Sequence, residues 1–174
     1  LNGSNYDFVG GRGYIEKDWG RNFPENWIWA QSNNFSNNDL SITASLATIP
    51  WKNTAFAGFI VGLYYKNNLY RFTTYRNTVT KEIQYDSNKF YWQLRQNDLM
   101  LELTIEEGRK AGLLYAPGKF DMVPRVHEYL DGNIYLKLYD RKGTILEDQT
   151  TSAAVEIIGD VRKLINMAGG LQSG

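Results

Sequence analysis

The chain has 174 residues and 20.0 kDa, with 19 basic and 19 acidic side chains and a formal charge of zero. That balance gives no long-range attraction to nucleic acid or to an anionic membrane, and nucleic acid is not expected as a partner. Cysteine is absent, which excludes a disulfide framework, a thiol nucleophile and a zinc site built on Cys. The length suits one domain with a substantial core.

The longest apolar run, 56–65, is broken by Gly58 and Gly62 and is too short to cross a bilayer as a helix. No signal peptide is visible at the start. A soluble domain is therefore expected, cytoplasmic or peripheral to a membrane. Residues 10–13, GGRG, do not form a phosphate loop, because no Lys-Ser/Thr follows and no helical pattern opens there.

The stretch 13–35, GYIEKDWGRNFPENWIWAQSNNF, begins as a strand, crosses a charged loop bent at Pro24 and re-enters an aromatic strand. In that second strand Trp27, Trp29, Gln31 and Asn33 fall at period 2 and share a face. Two indoles and two amides on one face, preceded by the carboxylates Glu16, Asp18 and Glu25, match the chemistry of a ligand-binding interior. A Trp-rich core strand whose amides bond to neighbouring turns is the competing reading.

From there short alternating segments follow one another. Residues 40–49 alternate around Ile42, Ala44 and Leu46; 56–65 read as a strand covered on both faces. Asn67-Asn68 marks a hairpin turn to 69–75. Segments 79–86, 90–95 and 99–106 come next, the last with Leu99, Leu101, Leu103 and Ile105 on one face. Glu107-Gly108 turns the chain into 110–116. Residues 125–130 and the strand of Ile134, Leu136 and Leu138 are expected to be joined by an Asp131-Gly132 turn; 144–147 and 153–158 are expected as two further strands. Asp160 is the expected N-cap of a short amphipathic helix over 160–168, packed on the outside of the sheet, with 169–174 a frayed tail.

Tight connections and even spacing predict an all-β fold: an antiparallel up-and-down, lipocalin-like β-barrel of about eight to ten strands over 14–158, carrying one short C-terminal helix. A barrel of that size holds side chains or one small ligand.

The signature GYIEKDW…FPENWIWAQSNNF resembles that of the tocopherol cyclase family. The likeness continues through Tyr70-Arg71-Phe72, AGLLYAP at 111–117, IYLKLYDR at 134–141 and TILEDQTTSAAVEIIGD at 144–160. The resemblance implies a calycin-type barrel matching the C-terminal part of longer proteins, so an N-terminal barrel domain of the same protein is an expected partner. It also implies the closure of a chromanol ring: a prenyl double bond is protonated and the neighbouring phenol oxygen attacks the carbocation, without metal or redox cofactor. The ligand would be a hydrophobic prenylated phenol. Asp18 is the first choice of acid, with Glu16, Glu25, Glu128 and Asp131 as alternatives. Trp19, Trp27 and Trp29 would shield the cation, and Gln31 and Asn33 would hold the phenol hydroxyl. Arg71 and Arg125 are further candidates for the phenolic group.

The single histidine, His127, shares a face with Arg125 and reads as a surface or rim residue. No metal-ligand spacing appears. The competing function is a non-catalytic barrel that binds a hydrophobic ligand or serves as one half of a larger protein.

Overall fold

The computed structural model describes residues 2–17, 23–118 and 121–169. Among these, ten antiparallel strands and one helix follow in order: β1 (Trp27–Ser32), β2 (Leu40–Trp51), β3 (Thr54–Tyr65), β4 (Asn68–Thr73), β5 (Thr78–Asp86), β6 (Lys89–Gln96), β7 (Leu99–Glu106), β8 (Ala111–Pro117), β9 (Met122–Asp140), β10 (Gly143–Ile158) and α1 (Val161–Gly169). The sheet order is β4-β3-β2-β1-β10-β9-β7-β6-β5, with β8 on β9. Apart from β4 and β5, which end the sheet, and β8, which pairs with β9 and not with β7, strands lie beside their chain neighbours, and the last strand returns to pair with the first. This is the up-and-down order read from the turns.

The sheet is not closed. Its two ends, β4 and β5, meet at a corner where Thr73 N–H donates to Thr78 Oγ1 at 3.1 Å and Gln96 Nε2 donates to the Arg71 and Arg76 carbonyls at 2.9 and 3.0 Å. No ladder runs between them. The term barrel thus applies only loosely: the sheet curls round, and one seam stays open.

Lys66-Asn67 and Ser87-Asn88 each place two consecutive residues at positive φ, the geometry of two-residue turns whose twist matches the strands. The first lies one residue earlier than the Asn67-Asn68 turn expected.

The interior is a packed core. Phe72, Phe90, Leu94, Leu101, Leu136 and Val155 are completely buried, and Trp92 meets Phe59 edge-on at 5.2 Å. The Trp92 indole donates to Thr80 Oγ1 at 3.2 Å, so its one polar atom is satisfied. β3 is covered on one face only: Ala57, Phe59, Val61 and Leu63 are buried, whereas Phe56, Ile60 and Tyr64 are exposed.

Two expected breaks do not occur. Asp131-Gly132 is not a turn; the chain runs through it as β9. The register with β10 slips there, from Tyr129↔Val155 to Gly132↔Ala153. The odd-numbered Tyr129 and the even-numbered Ile134 both pack on the central core as a result. A β-bulge changes the phase of alternation, and in a bare sequence that change looks like a strand ending. Gly132 suits this point, since a Cβ would lie 2.5 Å from Val155 Cγ2 and 3.0 Å from the Glu106 carbonyl. β10 is likewise one strand, with a slip between Thr150 and Ala153.

Asp160 caps α1, its Oδ1 accepting from Lys163 N–H at 2.9 Å. Gly159 makes the turn into the helix at φ +81°, with the Glu25 carbonyl where a Cβ would stand. Val161, Leu164 and Ala168 belong to the central core, and the helix touches β1, β3 and β5. It covers core rather than lying outside the sheet as expected. Leu164→Ala is accordingly expected to cost about 2–5 kcal/mol in urea unfolding, and the exposed Arg162→Ala less than about 0.5 kcal/mol. Equal effects would contradict this role for the helix.

Candidate functional site

β1 pairs with β2 on one side and β10 on the other. Ile28 and Ala30, 2% and 0% exposed, enter the central core. Alternation then sends Trp27 and Trp29 to the outer face. The aromatic face therefore does not line the interior. It forms a second buried cluster, in which Trp27 joins Ala47, Ala116, Val126 and Ile158, with Trp29 and Ile49 packed against it.

What covers this outer face comes from two directions. One is the segment ahead of β1. Tyr14 packs 6.4 Å from Trp29, and its hydroxyl lies 3.1 Å from Thr43 Oγ1. Glu16 Oε2 accepts from the Tyr14 hydroxyl, and from Trp29 Nε1 at 3.3 Å. Phe23 meets Trp27 edge-on at 6.0 Å.

The other is the arm formed by β8 and the first half of β9. β7 and β8 run one after the other along the same edge of β9, which places the arm beyond the end of β7. Ala116 and Val126 turn inward to the Trp27 cluster. A bulge between Pro124 and Val126 brings Arg125 there as well. Its guanidinium sits 5.4 Å over the Trp27 ring, and its Nη2 donates to the Pro24 carbonyl at 3.1 Å. Such a placement is a cation–π contact held in register by a hydrogen bond.

Carboxylates meet this aromatic face in a row. Trp29, Glu156 and Glu128 are successive register partners across β1, β10 and β9, and Gly112 of β8 continues the line. Trp27 Nε1 donates to Glu156 Oε2 at 2.6 Å, a charge-assisted bond. Glu128 opens onto a cleft of about 550 Å³ lined also by Lys110, Gly112, Leu114, Leu130 and Asp131. A smaller apolar depression of about 230 Å³ lies on the outer face of β2 and β3, lined by Ala47, Ile49, Phe56, Ile60 and Tyr75 among others. Ala47 is the register partner of Trp27, so the two depressions flank the aromatic cluster.

Of the residues singled out from sequence, Glu16, Trp27, Trp29, Glu128 and Arg125 come together on this face. Gln31 is buried at the far end of β1, and Asn33 lies past its end, its carbonyl accepting from Arg12 Nη2 at 2.6 Å. Arg71 stands on β4, separated from β1 by two strands. Glu25 is exposed. Asp131 Oδ2 accepts from Arg109 N–H at 3.2 Å. Asp18 and Trp19 lie outside the described residues. Sequence reading missed Glu156, because its partner across the sheet is set by register alone.

It also passed over Glu107, read as a turn residue. Burial pushes the Glu107 carboxyl up, while the nearby His127 pulls it the other way. Tyr85 and Tyr129, raised first by burial and then by Glu107, complete this group at the rim of the core.

Comparison with known proteins agrees with the motifs. The tocopherol cyclase-like family model matches residues 1–159. The chain belongs to the tocopherol cyclase-like family. It is 29% identical over 172 residues to a probable chloroplastic tocopherol cyclase of Oryza sativa subsp. japonica, covering 90% of this chain and 36% of that protein. It is 28% identical over 169 residues to the chloroplastic tocopherol cyclase of Zea mays, covering 90% and 35%. This family member thus spans about a third of the length of the curated relatives it matches. No solved structure matches it.

Glu107 yields a sign that can be checked. Its folded pKa lies above its unfolded value, so its stabilising contribution is complete below the unfolded pKa and is lost as pH rises through the folded one. Glu107→Gln is expected to raise the unfolding midpoint at neutral pH, with the gain disappearing below about pH 4. A gain of equal size at both pH values would contradict burial as the cause.

Proposed function

We propose that this chain binds a prenylated phenol on the outer face of β1 and closes it to a chromanol. The observation that carries this reading is the meeting of a cleft carboxylate, Glu128, with the Trp27–Trp29–Glu156 row in a member of the tocopherol cyclase-like family. The names of the rice and maize relatives support the reaction class.

In this reading Glu128 is the acid. Its carboxyl proton passes to one carbon of the prenyl double bond, leaving a carbocation on the other. The phenol oxygen of the same molecule attacks that carbon, and the phenolic proton returns to the carboxylate. Atoms balance without a co-reactant. The partly exposed Trp29 offers its face to the cation, whereas Trp27 is buried with the Arg125 guanidinium over its ring. Arg125 and Glu16 orient the phenolic head, and the apolar depression beside Ala47 takes the prenyl tail. Trp19 and Asp18 of the signature loop complete the reading as a further aromatic shield and a rival acid; Gln31, Asn33 and Arg71 are the residues least favoured by position.

A second reading is a binding barrel without turnover, or a ligand-holding part of a longer protein. It is favoured by the 35–36% coverage of the relatives.

Chromatography of a prenylated hydroquinone incubated with the protein separates the two. Chromanol formation is expected, falling by about 10²-fold or more in Glu128→Gln with quenching of tryptophan fluorescence by the substrate retained. An unchanged rate in Glu128→Gln together with a loss in Asp18→Asn would move the acid to the signature loop. Substrate binding with no chromanol would leave only the binding reading.

A further inference from the structure

Glycine inside a strand weakens it, and it stands there where a bulge, a tight bend or the close approach of another group requires it. For Gly58 and Gly132 the requirement is packing: a Cβ would lie 2.6 Å from Ile49 Cγ1 in the first and 2.5 Å from Val155 Cγ2 in the second. Gly112 of β8 meets none of these conditions within the fold. Its φ is not positive, and the slip between β8 and β9 falls at Leu114–Tyr115 instead. A Cβ there would meet only the Glu128 carbonyl, at 3.8 Å. The fold has room for a side chain at 112 and carries none.

That room lies at the end of the carboxylate row. Trp29, Glu156, Glu128 and Gly112 are successive partners across β1, β10, β9 and β8, so the four positions face the same way. The first three carry long side chains and the fourth has none. Lys110 and Leu114 flank Gly112 two residues away on β8, and Leu130 stands two residues beyond Glu128 on β9; all of them line the cleft of about 550 Å³. The bare main chain at Gly112 is thus a floor between two leucines, with a carboxylate on its β9 side and an ammonium at its edge. Its shape and lining suit a flat ring that bears a polar substituent.

We propose that Gly112 seats the phenolic ring and sets which ring substituents are accepted. The inference rests on the proposed reaction and adds to it the residue that decides specificity. The ring lies against the main chain of Gly112 with Leu114 and Leu130 at its edges, and the prenyl group leads along the row past Glu128 to Trp29. A large side chain at 112 would occupy the place of the ring itself. The smallest one, a single methyl, would take the room of one ring methyl.

Two prenylated hydroquinones, one without ring methyls and one with two, serve as probes in tryptophan-quenching titrations and in turnover. Gly112→Ala is expected to shift the ratio of the two Kd values, and of the two kcat/KM values where the ring closes, toward the unmethylated probe by about tenfold or more. Gly112→Leu is expected to weaken binding of both probes by at least about tenfold, with the far-ultraviolet circular dichroism and the unfolding midpoint not lowered. Gly62→Ala is the control. Gly62 has comparable room, its nearest neighbours being Thr43 Cγ2 at 3.6 Å and Leu69 Cδ1 at 3.8 Å, but β2, β1 and β10 separate it from β9; its probe ratio should stay that of the unmodified protein. Unchanged binding and an unchanged ratio in both Gly112 variants, while the unmodified protein binds the probes, would overturn the role of Gly112 and leave the proposed reaction standing. A shift of equal size in Gly62→Ala would overturn it as well. An unmodified protein that neither binds nor converts either probe would overturn both.

Discussion

The placement of β1 between β2 and β10 is the constraint on which the rest of the structure depends. Because the last strand returns to the first, β1 is covered by a ladder on both edges and its side chains divide between two faces. Ile28 and Ala30 enter the central core that also holds Phe72, Phe90 and Trp92. Trp27 and Trp29 are left on the outside. Two large indoles exposed on one strand would be a costly apolar surface. The N-terminal segment and the β8–β9 arm both serve to bury it, and the candidate site lies where they meet.

This arrangement explains why the family's aromatic signature and its later motifs belong together. AGLLYAP supplies Ala116, IYLKLYDR builds the half of β9 that anchors the arm to β7, and VEIIGD supplies Glu156 and Ile158. Residues more than a hundred positions apart converge on one indole pair. The Trp27–Glu156 hydrogen bond and the Arg125–Trp27 stack join a carboxylate, an aromatic face and a cation within one contact shell.

Much of the fold was legible from alternation and turn residues: an antiparallel all-β sheet of about eight to ten strands, the up-and-down order and the Asp160-capped helix. What was not legible has a common physical origin. At Asp131-Gly132 and between Thr150 and Ala153 the ladder slips, so the inward phase changes within a continuous strand. A sequence pattern cannot tell such a slip from an end. The facing of β1 was hidden for a related reason. Period 2 put Trp27 and Trp29 together correctly, but which face turns inward is decided by what packs there. For the site, Trp27, Trp29, Glu128 and Arg125 were visible as residue types, whereas Glu156 and Glu107 depend on register and burial, which only the folded chain supplies.

The central claim is that ligand chemistry belongs to the outer face beneath the arm and not to the barrel interior. Photo-cross-linking with a prenylated phenol bearing a photoreactive group on its tail, followed by peptide mapping, tests it directly. Labels on peptides holding Trp27–Trp29, Ala47–Ile49 and Gly112–Leu114 are the expected result. Labels concentrated on the interior residues Phe72, Phe90 and Trp92 would contradict it.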